Sequence, residues 1–238
     1  MTRVGLVVPS SNTTVEPEFR DALPAEWTAH TARMPLEDVT ADALDEMADD
    51  AERAASLLSH ASVDGVAYAC TTGSLLHGPG FDAALEAQLS EAVGGPAVAT
   101  ARSVVRALSA LDADRVAVAT PYTSELNERE REYLADNGFE VVALDGRELV
   151  ANTAIGELTP AAAKRQARSV LQAAPNAEAL FVSCTNYRSL SALSSIEAEF
   201  GVPVVSSNAA TLWDLCDRLG AQPALELRLA AETSTGQH

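Results

Sequence analysis

GVAYACTTGS, residues 65–74, is an apolar run that stops at a cysteine and then turns polar. A short β-compatible stretch followed by small hydroxyl side chains and a glycine reads as a buried strand emptying into a loop. The same pattern returns at residues 179–189, ALFVSCTNYRS, which places Cys184 at an offset of 114 from Cys70. Two further pairs keep the order. RVGLVVPSSN from Arg3 matches RVAVATPYTS from Arg115 at an offset of 112, and GPAVAT with Pro96 matches GVPVVSSN with Pro203 at an offset of 107. Three ordered matches at nearly one offset mark an internal repeat.

Worked outward from these runs, short apolar segments alternate with longer helical stretches, the pattern of an α/β fold with parallel strands. Strands are predicted at Val4–Val8, Val63–Tyr68, Ala97–Ala99, Arg115–Ala119, Val141–Leu144, Leu180–Val182 and Val202–Val205. Ala41–Ser59 and Pro160–Ala173 read as amphipathic, Ala-rich helices. The fold expected is therefore two similar, pseudo-symmetric lobes, each a parallel sheet flanked by helices, with the active site in the cleft between them. An N-terminal lobe at 1–108 would carry Cys70 and a C-terminal lobe at 109–220 would carry Cys184. Residues 221–238 would form a tail with at most a short helix, and a helix could cross between the lobes.

The chain has 238 residues, enough for one large domain or two of roughly 100–120 residues. Acidic side chains number 34 against 16 basic ones, a formal net charge of −18, yet 47% of residues are hydrophobic. That apolar content excludes a disordered acidic tail, and the negative field disfavours nucleic acid as a partner. No apolar run reaches the roughly 20 residues of a membrane span, and the N-terminus lacks the features of a signal peptide, so a soluble cytoplasmic protein is expected. Lys164 is the only lysine. Acid excess with almost no lysine fits a halophilic protein, in which salt screens self-repulsion, or the Arg-for-Lys exchange of a GC-rich genome. Three cysteines without CxxC or Cys/His clustering suggest neither a disulfide framework nor a metal site.

In parallel sheets, ligands bind beyond the carboxyl ends of the strands. Here those ends carry Pro9-Ser10-Ser11-Asn12-Thr13-Thr14, Thr120-Pro121-Tyr122-Thr123-Ser124, Cys70-Thr71-Thr72-Gly73-Ser74, Cys184-Thr185-Asn186 and Ser206-Ser207-Asn208. Such residues are ordinary helix N-caps one at a time, but five such loops together make a site for small carboxylates. Helix N-termini beside Cys70 and Cys184 would lower the thiol pKa and expose a thiolate. One cysteine could then attack or deprotonate a bound acid while the other supplies a proton from the opposite face. Cys216, inside AATLWDLCDRL, reads as a core hydrophobe. There is no GxGxxG, no GxxxxGK[ST] and no GxSxG motif. His30, His60, His77 and His238 are scattered, and His77 reads as a surface or capping residue. The acids Asp38, Asp42, Asp45, Glu46, Asp49, Asp50 and Glu52 read as a solvated face.

The joint pattern VPSSNTTVEPE, ACTTGS, ANTAIGELTP, SCTNYRSL and SNAATLWDL resembles maleate cis-trans isomerase, within the aspartate/glutamate racemase superfamily, over roughly residues 3–219. The resemblance implies a cofactor-independent homodimer that takes a small dicarboxylate and uses no metal. It implies Cys70 as nucleophile and Cys184 as proton donor, with Asn12, Tyr122 and Asn152 holding the substrate carboxylates. Thr71, Thr72, Thr185 and Asn208 are further binding candidates. Rival readings are an aspartate/glutamate-type racemase, an enzyme like arylmalonate decarboxylase, and a small-acid binding protein without catalysis.

Overall fold

The chain is described by a computed structural model covering residues 1–48, 50–75 and 80–232. Strands β1 (Arg3–Pro9), β2 (Thr28–Met34), β3 (Gly65–Tyr68) and β4 (Ala97–Ala99) form one sheet in the order β2-β1-β3-β4. Strands β5 (Arg115–Ala119), β6 (Glu140–Asp145), β7 (Ala179–Val182) and β8 (Val204–Ser206) form a second in the order β6-β5-β7-β8. Every pairing is parallel, and the two orders are the same, so the repeat read from the sequence is a repeat of topology. Val7 lies opposite Tyr68 and Ala119 opposite Val182, so the two central strand pairs finish level. Cys70 and Cys184 therefore leave their sheets at equivalent heights.

β2, TAHTARM, is the strand without an apolar run. It sits at a sheet edge with most side chains partly exposed, and an edge strand needs no continuous hydrophobic stretch. The helix expected over Ala41–Ser59 is two helices, α2 (Ala41–Ala48) and α3 (Ala51–Ser59). The described acids of this region are exposed or half-buried, as a solvated face requires, and Asp49 lies outside the described residues. α1 (Val15–Ala22), α4 (Thr72–Leu75) and α5 (Phe81–Val93) complete the first half before α6 (Thr100–Ala110). In the second half come α7 (Ser124–Asp136), α8 (Asn152–Gly156), α9 (Pro160–Ala173), α10 (Leu190–Phe200) and α11 (Ser207–Arg218). The bounds of α9 follow from its chemistry: Thr159 caps it by accepting from the Ala162 amide, and Pro160 opens its first turn. Past α11, a 3₁₀ turn spans Arg228–Ala231, while His77 and His238 lie outside the described residues.

The last helix of each half packs on the other half's sheet. Val104, Ala107 and Leu108 of α6 join Val116, Val118, Ala179 and Phe181 of the second sheet in one buried cluster. Leu212, Leu215 and Cys216 of α11 join Val4, Leu6, Val8 and Ala67 of the first. Burying each large apolar side chain stabilises by roughly 1.5–3 kcal/mol, so this exchange binds the halves firmly. α6 and α11 also touch through Thr100 and Thr211, whose hydroxyls are 2.8 Å apart, and through Ser103, which donates to Asp214 at 2.8 Å. Cys216 is fully buried there, and burial pushes its thiol up to about 12, in keeping with a core role.

Candidate active site

Both cysteine loops continue their strands before turning. Ala69 donates to the Val7 carbonyl at 2.8 Å and Ser183 to the Ala119 carbonyl at 2.9 Å, so each cysteine sits one residue past the last sheet bond. Beyond Cys70 the chain makes the single turn of α4. Gly73 is needed there because a Cβ at that position would come 2.4 Å from the Tyr68 hydroxyl. Cys184 has φ = 94°, a left-handed conformation that costs a non-glycine residue about 1–3 kcal/mol. Its amide donates to Ser207 Oγ at 3.0 Å and its carbonyl accepts from the Tyr187 amide at 3.1 Å, which holds it in place.

Cys70 and Cys184 line one small cavity, together with Asn12, Tyr122, Asn152, Thr71, Thr72 and Thr185. Eight of the nine residues expected from the sequence thus converge on it. Asn208 does not. Its amide nitrogen donates to Glu18 Oε2 at 2.7 Å and to the Thr185 carbonyl at 3.0 Å, so it braces the Thr185 loop from behind. Glu18 in turn accepts from the amides of Ser189 and Leu190 at the start of α10. His30 and His60 are absent from the cavity wall.

The other lining residues are Pro9, Leu36 and Val39, which supply an apolar side. Residues 36–39 cover the cavity from the first half and are stitched to the second. Val39 donates to the Val150 carbonyl at 2.8 Å, and Asn152 donates through its amide to the Glu37 carbonyl at 3.1 Å. Among the described residues, none that lines the cavity carries a formal charge at neutral pH once the cysteines are thiols. A bound carboxylate would meet neutral donors in a dry space, where each hydrogen bond counts for more than in water.

Those donors are held by a web of contacts between the loops. Asn12 Oδ1 accepts from the Thr14 and Val15 amides at 2.9 and 3.0 Å, capping α1, while its Nδ2 donates to Thr185 Oγ1 at 3.1 Å. Asn152 Nδ2 donates to Ser11 Oγ at 2.8 Å. Asn186 Nδ2 donates to the Asn152 carbonyl at 2.7 Å, and Asn186 Oδ1 accepts from the Thr13 amide at 2.9 Å. Arg33 donates from one guanidinium nitrogen to the Ser10 and Asn12 carbonyls, both at 2.9 Å, fixing the loop after β1 from the neighbouring strand. Sequence pattern places Ser207 in a strand-end loop without its role, and does not single out Arg33, Glu130 or Ser183 as site residues. Each acts on a partner more than 20 residues away, a relation that local pattern does not carry.

The thiols differ from expectation. Both are buried, not exposed, and burial is the largest influence on each. Cys70 is raised above its ordinary value by desolvation, opposed by hydrogen bonds from the Gly73 amide and from Thr72, whose hydroxyl lies 3.8 Å from the sulfur. Cys184 is pushed up to about 12 by desolvation, against hydrogen bonds from the Tyr122 hydroxyl and the Asn186 amide. No helix begins at Cys184, since α10 starts at Leu190, and α4 is one turn long, so the expected dipole effect is lost to desolvation. At neutral pH Cys184 is a protonated thiol, the state a proton donor needs.

Among the described residues, no group of three His, Cys, Asp or Glu side chains is placed to hold a metal, and no helix is long and apolar enough to cross a membrane. Two like α/β halves, each presenting one cysteine from its third strand to a shared covered cavity, define a class of paired-cysteine enzymes. The chain belongs to the arylmalonate decarboxylase family, whose model matches residues 4–228. It is 32% identical over 237 residues, 93% of each chain, to a maleate isomerase of Pseudomonas putida. It superposes on a Cys-to-Ala variant of the maleate isomerase Iso of Pseudomonas putida S16, solved with maleate, at a TM-score of 0.88, with 28% identity over 98% of this chain and 96% of that one. It also superposes on a Nocardia farcinica maleate cis-trans isomerase, a Cys-to-Ser mutant with a covalently bound succinylcysteine intermediate. That match has a TM-score of 0.89 and 30% identity over 96% of this chain and 98% of that one.

Proposed function

We propose that this protein converts maleate to fumarate by reversible thiolate addition. The observation that carries the reading is the meeting of Cys70 and Cys184, from equivalent ends of two like sheets, in one uncharged cavity with amide and hydroxyl donors. A carbon–carbon double bond does not rotate, so the reaction must remove its π character. Cys70 as thiolate adds to one alkene carbon, forming a C–S bond, while the electron pair moves toward the carboxylate on the neighbouring carbon. Cys184 gives its proton to that carbon, leaving a succinyl group on Cys70 and a thiolate at Cys184. The central bond is now single and rotates. Cys184 then takes a proton back, the double bond reforms, and Cys70 leaves as thiolate. Proton and electron counts close without a cofactor, because the two carboxylates already make the alkene electrophilic.

Asn12, Asn152 and Tyr122, with the Thr71, Thr72 and Thr185 hydroxyls, hold the carboxylates and stabilise the charge that develops during addition. Asn208 acts from outside the cavity by fixing the Thr185 loop. Cytoplasmic location, a homodimeric state and tolerance of high salt belong to the same reading. A racemase of acidic amino acids would need a counter-charge for the substrate ammonium, and among the described residues no carboxylate lines the cavity. An arylmalonate decarboxylase-like reaction would use Cys184 alone and leave Cys70 without a role.

The test is proton NMR of maleate with the purified, reduced protein in deuterated high-salt buffer. Fumarate appears catalytically with the parent protein and is absent with Cys70→Ala. A folded, fully reduced protein that leaves maleate unchanged would overturn the reading.

A further inference from the structure

Glu130 of α7 is 1% exposed, and the isomerisation chemistry above gives it no part. A hydrogen bond of 2.5 Å joins its Oε1 to Ser183 Oγ, the residue immediately before Cys184. Its Oε2 is buried without a partner. Glu130 lines a second small cavity, whose walls include Ala101, Val104, Leu134 and Phe181, with Thr71 shared with the cysteine site. Ser183 also hydrogen-bonds the Tyr122 hydroxyl, which hydrogen-bonds the Cys184 sulfur. Four side chains thus form an unbroken line, Glu130–Ser183–Tyr122–Cys184.

We propose that Glu130 is a positioning residue whose neutral carboxyl orients the Ser183 and Tyr122 hydroxyls toward the Cys184 sulfur and so sets the proton state of Cys184. The proposal rests on the two-cysteine reading and extends it. Ser183 has one hydroxyl proton. With Glu130 neutral, its O–H donates to Ser183, Ser183 donates to Tyr122, and Tyr122 donates to the thiolate left when Cys184 has given up its proton. With Glu130 ionised, Ser183 turns its proton to the carboxylate, Tyr122 loses its donor, and a second negative charge stands behind the thiolate. No proton passes beyond Cys184 in either case.

The surroundings keep Glu130 neutral near pH 7. Desolvation pushes it up to about 8, and the Ser183 hydrogen bond opposes this only in part. The titratable groups around it are Tyr122 from the loop after β5, Cys184 beyond it, and Tyr133 one turn along α7. Tyr133 donates to Asp82 of α5 at 2.7 Å, and Glu86 of α5 and Arg102 of α6 bear on Tyr133. Arg131 of α7 turns away to donate to the Val141 carbonyl of β6. No cation is placed to neutralise the Glu130 carboxylate among the described residues.

The experiment follows Cys184 alone, by its rate of iodoacetamide alkylation against pH in a Cys70→Ser, Cys216→Ser protein, with and without a change at the relay. Glu130→Gln presents a permanent N–H donor to Ser183, so the alkylation curve moves to lower pH. Ser183→Ala cuts the line between Glu130 and Tyr122, so adding Glu130→Gln to it moves the curve less than Glu130→Gln alone. A shift to lower pH that shrinks in the Ser183→Ala background is the expected result, and a purely structural role for Glu130 would not produce it. Equal curves for the parent and Glu130→Gln, or a shift of the same size without Ser183, overturn the proposal. Turnover supplies the second arm, since ionisation of Glu130 lowers kcat/KM of the parent as pH climbs through about 8 and Glu130→Gln loses that fall. A protein that shows the alkylation shifts but never turns over maleate keeps the relay and refutes the isomerase reading.

Discussion

Thr71 Oγ1 donates to Ser207 Oγ at 2.8 Å, and the same Ser207 oxygen accepts the Cys184 amide at 3.0 Å. A single fully buried hydroxyl at the start of α11 therefore ties the loop of one cysteine to the loop of the other. Ser207→Ala leaves a buried Thr71 hydroxyl and a buried Cys184 N–H without a partner. Each orphaned group costs about 1–3 kcal/mol, and the strained Cys184 backbone loses one of its restraints. The variant is expected to melt several degrees lower and to lose more than tenfold in kcat, with a smaller change in KM. Thermal denaturation beside steady-state kinetics checks both.

Arg106 of α6 tests the exchange of helices between halves. Its guanidinium donates to Glu86 of α5 at 2.8 Å and to Asp214 of α11 at 2.6 Å, and Asp214 is fully buried. Burial opposes the charge on Arg106, yet the two carboxylates raise its pKa above the ordinary arginine value. Arg106→Met removes the cation those carboxylates share while leaving Arg102 on Glu86 and Arg218 on Asp214, so it destabilises by less than the ~3–5 kcal/mol of a buried charge left without any partner. A urea midpoint unchanged from the parent would show that the network contributes nothing to the joint between halves.

These two residues show where sequence reading stops. Apolar runs ending in cysteine or in polar loops, repeated at one offset, carry the lobes, the strand ends and seven of the cavity residues, because each of those signals is local, whereas Asn152 follows only from the family resemblance. β2 escapes because an edge strand with partly exposed side chains leaves no apolar run. Asn208 reads as a binding residue because Ser206-Ser207-Asn208 follows a strand, but which of these faces the cavity depends on where α11 begins. Ser207 points to both cysteine loops, while Asn208 points to Glu18 behind them. Burial of the thiols, which reverses the expected direction of their pKa, depends on the 36–39 segment reaching across to 150–152.

Stability should rise as pH falls from about 8 toward 5. Glu130 has its folded pKa raised to about 8 from 4.5, and Glu18 is raised as well, in both cases chiefly by burial. A raised carboxyl contributes stability that is complete below its unfolded pKa and is lost as pH climbs through the folded one. Each unit is worth about 1.4 kcal/mol, so Glu130 alone contributes on the order of a few kcal/mol across this window. Below about pH 4 the gain reverses, because Glu86, which burial alone would raise, is held low in the fold by Arg106 and must then be protonated at a cost. Denaturant unfolding at pH 5 and pH 8 measures the difference, and Glu130→Gln should narrow it. An equal or larger difference in the variant would remove Glu130 as its source.

The two cysteines should separate in a trapping experiment. Cys70 is raised by burial but opposed by the Gly73 amide and by Thr72, while Cys184 stands at about 12 beside Tyr122. Only Cys70 is therefore expected to add to the alkene, and only Cys184 to deliver and recover the proton. Cys184→Ser keeps the size of the side chain but supplies an oxygen far less willing to exchange that proton, so the succinyl adduct forms slowly and persists. Incubated with maleate, this variant should gain the mass of one maleate on Cys70, located by peptide mapping, with turnover reduced at least a hundredfold, about 2.7 kcal/mol in the barrier. Cys70→Ser should show no adduct at any cysteine. An adduct found on Cys184 in Cys70→Ser protein, with none on Cys70 in the reverse case, would exchange the two roles while leaving the paired site intact.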